Sequence, residues 1–259
     1  MRNVDIVFHA AAMKHIDICE QNPFDAVKTN VIGTSNILEL SIMENVSKVI
    51  FISTDKATNP SSTLGASKLL AERLTLDASS YTGENKTVFA IVRFGNVLGS
   101  RGSVFQIFQK QILTNNPLTV TDERMTRFIM SISDASKMIL KVTNIAKDGE
   151  IFILKMPSVK IEELAKGMLS VFKKKFPNHR IKNKIKILKS RERERFDEFL
   201  ITNEEQPYCH DIGQMYKISK IENKKLVSLN NFNSKTSKKI SNKELEKIIN
   251  ELMDEYITY

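Results

Sequence analysis

Two cysteines, Cys19 and Cys209, are all the thiol chemistry in this chain of 259 residues. They lie far apart with no metal-type spacing around them, which excludes a disulfide framework and a zinc cluster and reads as reduced cytosolic thiols. His9 and His15 have no third ligand at a suitable spacing, so no metal is expected. No apolar run approaches the roughly 20 residues of a membrane-spanning helix, and residues 1–20 lack the signal-peptide pattern. A cytoplasmic chain with no membrane span is expected. No internal repeat is visible, which excludes solenoids and propellers.

What the chain has in quantity is positive charge. Formal net charge is +9, with lysines dense between Lys173 and Lys189 and between Lys217 and Lys239. Basic patches bind phosphate non-specifically, but no nucleic-acid recognition motif accompanies them, and no nucleic-acid partner is expected. The same field suits a ligand carrying a diphosphate. Hydrophobic residues make up 41%, enough for one large domain or for a domain with a smaller lobe.

The chain is organised around the stretch from Val49 to Lys68. Val49 to Ile52 is a continuous apolar run that suits a strand buried on both faces. It turns polar at once with Ser53, Thr54, Asp55 and Lys56, at the strand end where open parallel sheets bind ligands. Asn59-Pro60 breaks the chain, and a helix is expected from Leu64 to Tyr81, with Leu64 and Lys68 one turn apart on one face. Before it come a strand over Asp5–Phe8, the small-residue run Ala10 to Ala12, and a helix from Asn22-Pro23 to Met43 that contains Thr29-Asn30 and Gly33. After it come a strand over Val88–Arg93 and a loop with three glycines, Gly95, Gly99 and Gly102, flanking Asn96, Val97 and Arg101. Helices are expected over Ser103–Asn115, from an N-cap at Ser133 to Asn144, over Lys160–Val171, and from a Ser241-x-x-Glu244 capping box to Tyr256. Strands are expected over Gly149–Leu154 and Ile185–Leu188. The polar stretch Asn223–Ser241 reads as a loose connection.

The run Ser-Thr-Asp-Lys-Ala-x-Asn-Pro followed by Gly-Ala-Ser-Lys resembles the extended short-chain dehydrogenase/reductases. More narrowly, it resembles the CapD-like nucleotide-sugar 4,6-dehydratases of polysaccharide biosynthesis, which act on UDP-N-acetylglucosamine. The likeness extends over nearly all of residues 1–220 and includes Thr29-Asn30-x-x-Gly33, the Gly-rich loop after Arg93 and Met125-Thr-Arg-Phe128. It implies an α/β fold with a Rossmann-like doubly wound parallel sheet, N-terminally truncated, and a smaller C-terminal substrate lobe. The expected division is 1–150, a partial NAD(P)-binding domain; 151–220, the substrate lobe; and 221–259, a tail and helix.

The resemblance also implies a chemistry. Hydride leaves sugar C4 for NAD or NADP, water is lost across C5–C6, and hydride returns at C6. Asp55 is then the acid and Lys56 the base, with Thr54 standing in for a missing proton carrier and Lys68 holding the nicotinamide ribose. Ala10, Ala11, Val97 and Arg101 join Lys68 around the cofactor, while Lys14, Asn96, Arg127 and Arg191 contact the UDP-sugar. Three departures stand out. Leu64 occupies the position of the family's Tyr or Met. Glu192-Arg193 replaces a Pro-Gly pair, although Arg191, Glu194 and Glu198 match. The Gly-rich strand–turn–helix that seats a dinucleotide pyrophosphate is not among these residues. The expected partners are a UDP-sugar and either a second copy of the chain or a missing N-terminal half, since the sheet would expose an open edge. A same-fold UDP-sugar epimerase, or a remnant that binds without catalysis, are the rival readings. Arg124 is read as an ordinary ion pair with Asp122 or Glu123.

Overall fold

The computed structural model describes residues 1–83, 87–177, 184–188 and 194–257. Its strands are β1 (Ile6–His9), β2 (Lys48–Thr54), β3 (Val88–Phe94), β4 (Asn96–Val97), β5 (Leu118–Val120), β6 (Thr126–Met130), β7 (Glu150–Leu154), β8 (Ser158–Lys160), β9 (Ile185–Ile187), β10 (Cys209–Asp211) and β11 (Met215–Ile218). Its helices are α1 (Ile16–Gln21), α2 (Pro23–Val27), α3 (Gly33–Met43), α4 (Thr63–Asp77), α5 (Val104–Leu113), α6 (Ile132–Ile145), α7 (Ile161–Lys175) and α8 (Asn242–Ile257), and a π-helical turn, Lys28–Ile32, joins α2 to α3. The chain forms two compact units. One comprises Met1–Phe94, Ser136–Lys155 and Phe199–Phe232; the other comprises Gly95–Ala135, Met156–Glu198 and Asn233–Tyr259.

The first unit is built on a six-stranded sheet in the order β1-β2-β3-β7-β11-β10. β1, β2, β3 and β7 run parallel, and the β11–β10 hairpin closes the far side antiparallel. This is the mostly parallel α/β sheet expected from the buried runs. Leu38 of α3 packs on one face against Val49 and Phe89. Met138 and Val142 of α6 cover Ile50, Ala90, Val92 and Phe152 on the other. Covering both faces is what makes β2 and β3 continuously apolar rather than alternating. β1 stands at the sheet edge among the described residues, with Ile6 and Phe8 more than 40% exposed.

The second unit has a three-stranded sheet, β4-β6-β8, and a parallel pair, β5-β9. Its core gathers Phe105, Phe108 and Ile112 of α5, Leu164 and Met168 of α7, and Leu245 and Ile249 of α8. α7 buries Ile161, Leu164, Ala165, Met168, Val171 and Phe172, the stripe of an amphipathic helix. The Ser241–Glu244 capping box forms as read, with reciprocal backbone bonds of 3.1 and 3.2 Å.

Two local expectations are corrected. The cap of α6 is Ser131, whose hydroxyl accepts from the Asp134 amide at 3.0 Å, and not Ser133. A methyl at Gly33 would meet only the Lys28 carbonyl, at 3.5 Å, across the π-turn. The stretch Asn223–Ser241 is packed, since Phe232 and Ser234 are fully buried, and Phe232 meets Tyr216 edge-on at 4.6 Å. The Met-Thr-Arg-Phe motif runs into β6, all five of whose residues are buried.

Candidate active site

β2 ends where its hydrogen-bonding chemistry changes. Thr54 keeps extended geometry and caps a short 3-10 turn, Asp55–Ala57. Its hydroxyl donates to Asp55 Oδ1 at 2.9 Å and accepts from the Lys56 amide at 3.4 Å. Lys56 Nζ donates to the same Oδ1 at 2.9 Å. The Asp55 side chain is fully buried, whereas that of Lys56 is 21% exposed. Asp55 Oδ2 is buried and has no hydrogen-bond partner, as does the neighbouring Ser53 hydroxyl. A carboxylate oxygen left bare in a low-dielectric site is costly unless it holds a proton or awaits a donor.

Helix α4 is locked onto this turn. The Ser62 side chain caps it at the Gly65 amide, and Glu20 of α1 accepts from the Thr63 amide at 2.6 Å. Gly65 is required for space, because a methyl there would lie 2.5 Å from the Lys56 carbonyl and 2.9 Å from Pro60 Cβ. That registration places Leu64 and Lys68 on the buried face, as the spacing predicts. Lys68 Nζ donates to the Ile52 carbonyl at 2.7 Å and sits 4.1 Å above the Phe51 ring. Burial pushes its pKa down to about 8, and Glu72 one turn on opposes the drop.

The segment after β1 is held from below by Asn30, at the centre of the π-turn. Its side chain bonds both backbone groups of Met13, at 2.8 and 3.1 Å, and donates to Ser67 of α4 at 3.0 Å. π-Turns often aim a side chain this way at functional sites. Ala10, Ala11 and Lys14 are consequently presented on the exposed side of the pinned loop. His9, at the end of β1, meets the Thr34 hydroxyl through Nε2 at 2.9 Å. Because that hydroxyl donates to the Asn30 carbonyl, Nε2 carries the hydrogen. Burial, then the nearby Lys68 charge, lowers the His9 pKa.

The remaining predicted residues belong to the second unit. β4 pairs with β6 so that Asn96 lies opposite Ile129, two residues along from Arg127. The Asn96 side-chain oxygen is buried without a hydrogen-bond partner. Val97 is half-buried, and Arg101 is exposed in a loop that turns through positive φ at Gly99 and Gly102. Arg127 is only 6% exposed. Its guanidinium donates to the carbonyls of Thr126, Phe196 and Arg195 at 2.8, 3.1 and 2.9 Å, and lies 3.6 and 3.7 Å from Glu194 and Glu198. Arg124, by contrast, makes the surface pair with Asp122 at 2.8 Å that the sequence suggests. Arg191, Glu192 and Arg193 lie outside the described residues.

Thr54, Asp55 and Lys56 are thus directly bonded to one another, with Lys68 held two residues upstream on the same strand. Sequence reasoning missed the His9–Thr34 bond and a buried cluster beneath α4. In that cluster Arg93 donates to both oxygens of Glu72 (3.0 and 2.7 Å), both of Glu205 (2.9 and 2.9 Å) and the Leu200 carbonyl (2.9 Å). The one signal for it was Glu72 lying a turn beyond Lys68.

Comparison with known proteins gives the same frame. The chain is 46% identical over 257 residues to an uncharacterized membrane protein of Methanocaldococcus jannaschii, covering 97% of this chain and 76% of that one. It is 36% identical over 261 residues to a UDP-glucose 4-epimerase of Rickettsia bellii, covering 96% and 74%. Among solved structures, Pen from Bacillus thuringiensis superposes with a TM-score of 0.88 at 38% identity, covering 98% of this chain and 77% of that one. A dTDP-glucose 4,6-dehydratase from Streptomyces venezuelae, solved with NAD, shares the fold at a TM-score of 0.65 and 21% identity, covering 75% and 64%. Residues 1–220 match the model of the polysaccharide biosynthesis protein family, and the chain belongs to that family.

Proposed function

We propose that this chain is a nucleotide-sugar-modifying enzyme of the epimerase and dehydratase kind, and specifically a 4,6-dehydratase acting on UDP-N-acetylglucosamine. The observation that carries the reading is the bonded set Thr54–Asp55–Lys56 at the end of a central parallel strand. Elimination across C5–C6 needs a base near C5 and an acid near O6, and this turn supplies an amine and a carboxyl side by side. Asp55, with one bare buried oxygen, is the acid toward O6. Lys56, the more exposed partner, is the base toward C5. Thr54, whose hydroxyl already bonds Asp55, relays the proton of the sugar's 4-hydroxyl. Leu64, buried and without an exchangeable proton, fills only space.

A nicotinamide dinucleotide, NAD or NADP, supplies reversible oxidation at the sugar. The residues at its nicotinamide end fit: Ala10 and Ala11 leave the backbone after β1 open, and Lys68 presents an ammonium at the β2 end. Val97 and Arg101 are assigned to the same cofactor, and Lys14, Asn96, Arg127 and Arg191 to the UDP-sugar, on the motif match.

A 4-epimerase is the second reading, favoured by the Rickettsia relative's name. It has no need of Asp55 and Lys56, and it needs a proton carrier where Leu64 stands. Incubation of the protein with UDP-N-acetylglucosamine and excess NAD or NADP, followed by mass spectrometry, separates the two. Loss of water from the sugar is expected. A C4-inverted product of unchanged mass would establish the epimerase, and UDP binding without turnover would mark a binding protein.

A further inference from the structure

A cavity of about 510 Å³ opens in the first unit, under α4 and behind the turn that follows Lys56. This is within the range of small-molecule sites. One stripe of α4, Leu69 and Leu76, forms one wall, and Ile151 of β7 and Ile218 of β11 form part of the sheet side. The rest of the wall includes Ala57 to Pro60, the direct continuation of the Asp55–Ala57 turn. None of the residues assigned above to cofactor or substrate lines it.

We propose that this cavity is a second ligand site, and that it takes a compact molecule with an apolar body and a cationic or hydrogen-bond-donating head. The body follows from the aliphatic walls. The head follows from the Glu72–Arg93–Glu205 cluster that lines the cavity. All five donors of Arg93 are already used within the first unit, so the guanidinium has none left for a ligand. The two carboxylates keep free lone pairs, and the cluster as a whole carries one negative charge. The Glu72 and Arg93 side chains are each only 2% exposed and Glu205 is 16% exposed, so this charge acts in a poorly screened environment. Arg73, Lys220 and Glu204, the other charged lining residues, are solvent-exposed, so water and salt weaken their net positive charge, although Arg73 still acts on Glu205 and helps lower its pKa. The interior is therefore a field for donors and cations. The wall at Pro60 is backed by Gly65, packed against both Pro60 and the Lys56 carbonyl. Occupancy of the cavity consequently bears on the backbone that carries Asp55 and Lys56. The assignment does not depend on the reaction proposed above.

Three indoles that share a body and differ in head charge test it: tryptamine, indole and indole-3-acetate, titrated into the whole protein and followed by ligand-observed and amide NMR. Tryptamine is expected to bind at least tenfold more tightly than indole-3-acetate, with indole between them and with amide shifts at Ala57, Thr58 and Asn59. Leu76→Trp, which adds bulk to the α4 wall of the cavity, should weaken tryptamine binding at least tenfold. Ile218→Trp repeats the block from the opposite wall should Leu76→Trp fail to fold. No binding by any indole, equal affinity for tryptamine and indole-3-acetate, or tryptamine binding undiminished in both tryptophan variants would each overturn the proposal.

Discussion

At the scale of single residues, the candidate chemistry comes down to which groups can move a proton. Thr54 and Leu64 divide that question cleanly. Leu64→Ala should leave turnover of UDP-N-acetylglucosamine within about tenfold, while Thr54→Val should lower it by on the order of 10²-fold, the scale of losing a positioned proton-transfer group. Equal losses in the two variants would remove Thr54 from the relay. Lys68 carries a second prediction. Its folded pKa of about 8 lies below the ordinary 10.5, so between those values the unfolded chain binds the proton that the folded chain has lost. Stability then rises with pH across that window, and below it the buried ammonium is a cost on the order of 3 kcal/mol. Lys68→Met should therefore gain on the parent at pH 7 and lose that advantage by pH 10.5. Urea titrations of the pair at both pH values measure this, and a gap that stays constant with pH would show Lys68 to be ordinarily protonated.

At the scale of elements, the cluster beneath α4 ties a helix, a strand end and a distant loop to one guanidinium. Burial would lower the Arg93 pKa, but Glu72 and Glu205 more than reverse it and hold the charge in place. Arg93→Met leaves two buried carboxylates facing each other, and should cost about 3–5 kcal/mol in urea unfolding, the usual penalty for breaking a buried ion pair from one side. A loss under 1 kcal/mol would mean that water reaches the cluster freely. Beyond Glu72 lying a turn past Lys68, the sequence did not foretell this cluster, because its members are separated by 21 and 112 residues and pair only once the sheet exists. Local signals fared better. Unbroken apolar runs marked β2 and β3, Pro23 marked a helix start, and Ser241 with Glu244 marked α8, since each acts within a few residues. β6 was missed because Thr126 and Arg127 look like surface residues. They are buried because Thr126 bonds Asp197 and Ser234, and Arg127 takes up carbonyls of the 195–196 segment. The Thr54–Lys56 turn was legible from its motif, whereas the His9–Thr34 support for the neighbouring loop was not.

At the scale of the whole molecule, ligand binding and folding become one equilibrium, since anything that binds only the folded chain raises its melting temperature. UDP is expected to protect the protein, and Arg127→Ala to remove most of that protection because an arginine–phosphate contact is charge-assisted. The variant should also melt earlier without UDP, as the carbonyls of Phe196 and Arg195 lose their donor. Undiminished protection by UDP in the variant would reduce Arg127 to that structural task. The division into two units, each stitched from three separate stretches of chain, also bears on synthesis. A ribosome delivers the chain from its N-terminus, and the last stretch of the first unit ends at Phe232. The nascent protein must therefore expose most of its length before either unit can close, with the apolar faces of β2, β3 and α5 waiting for partners not yet made. Such a chain depends on chaperone protection during translation more than one whose domains are completed in turn.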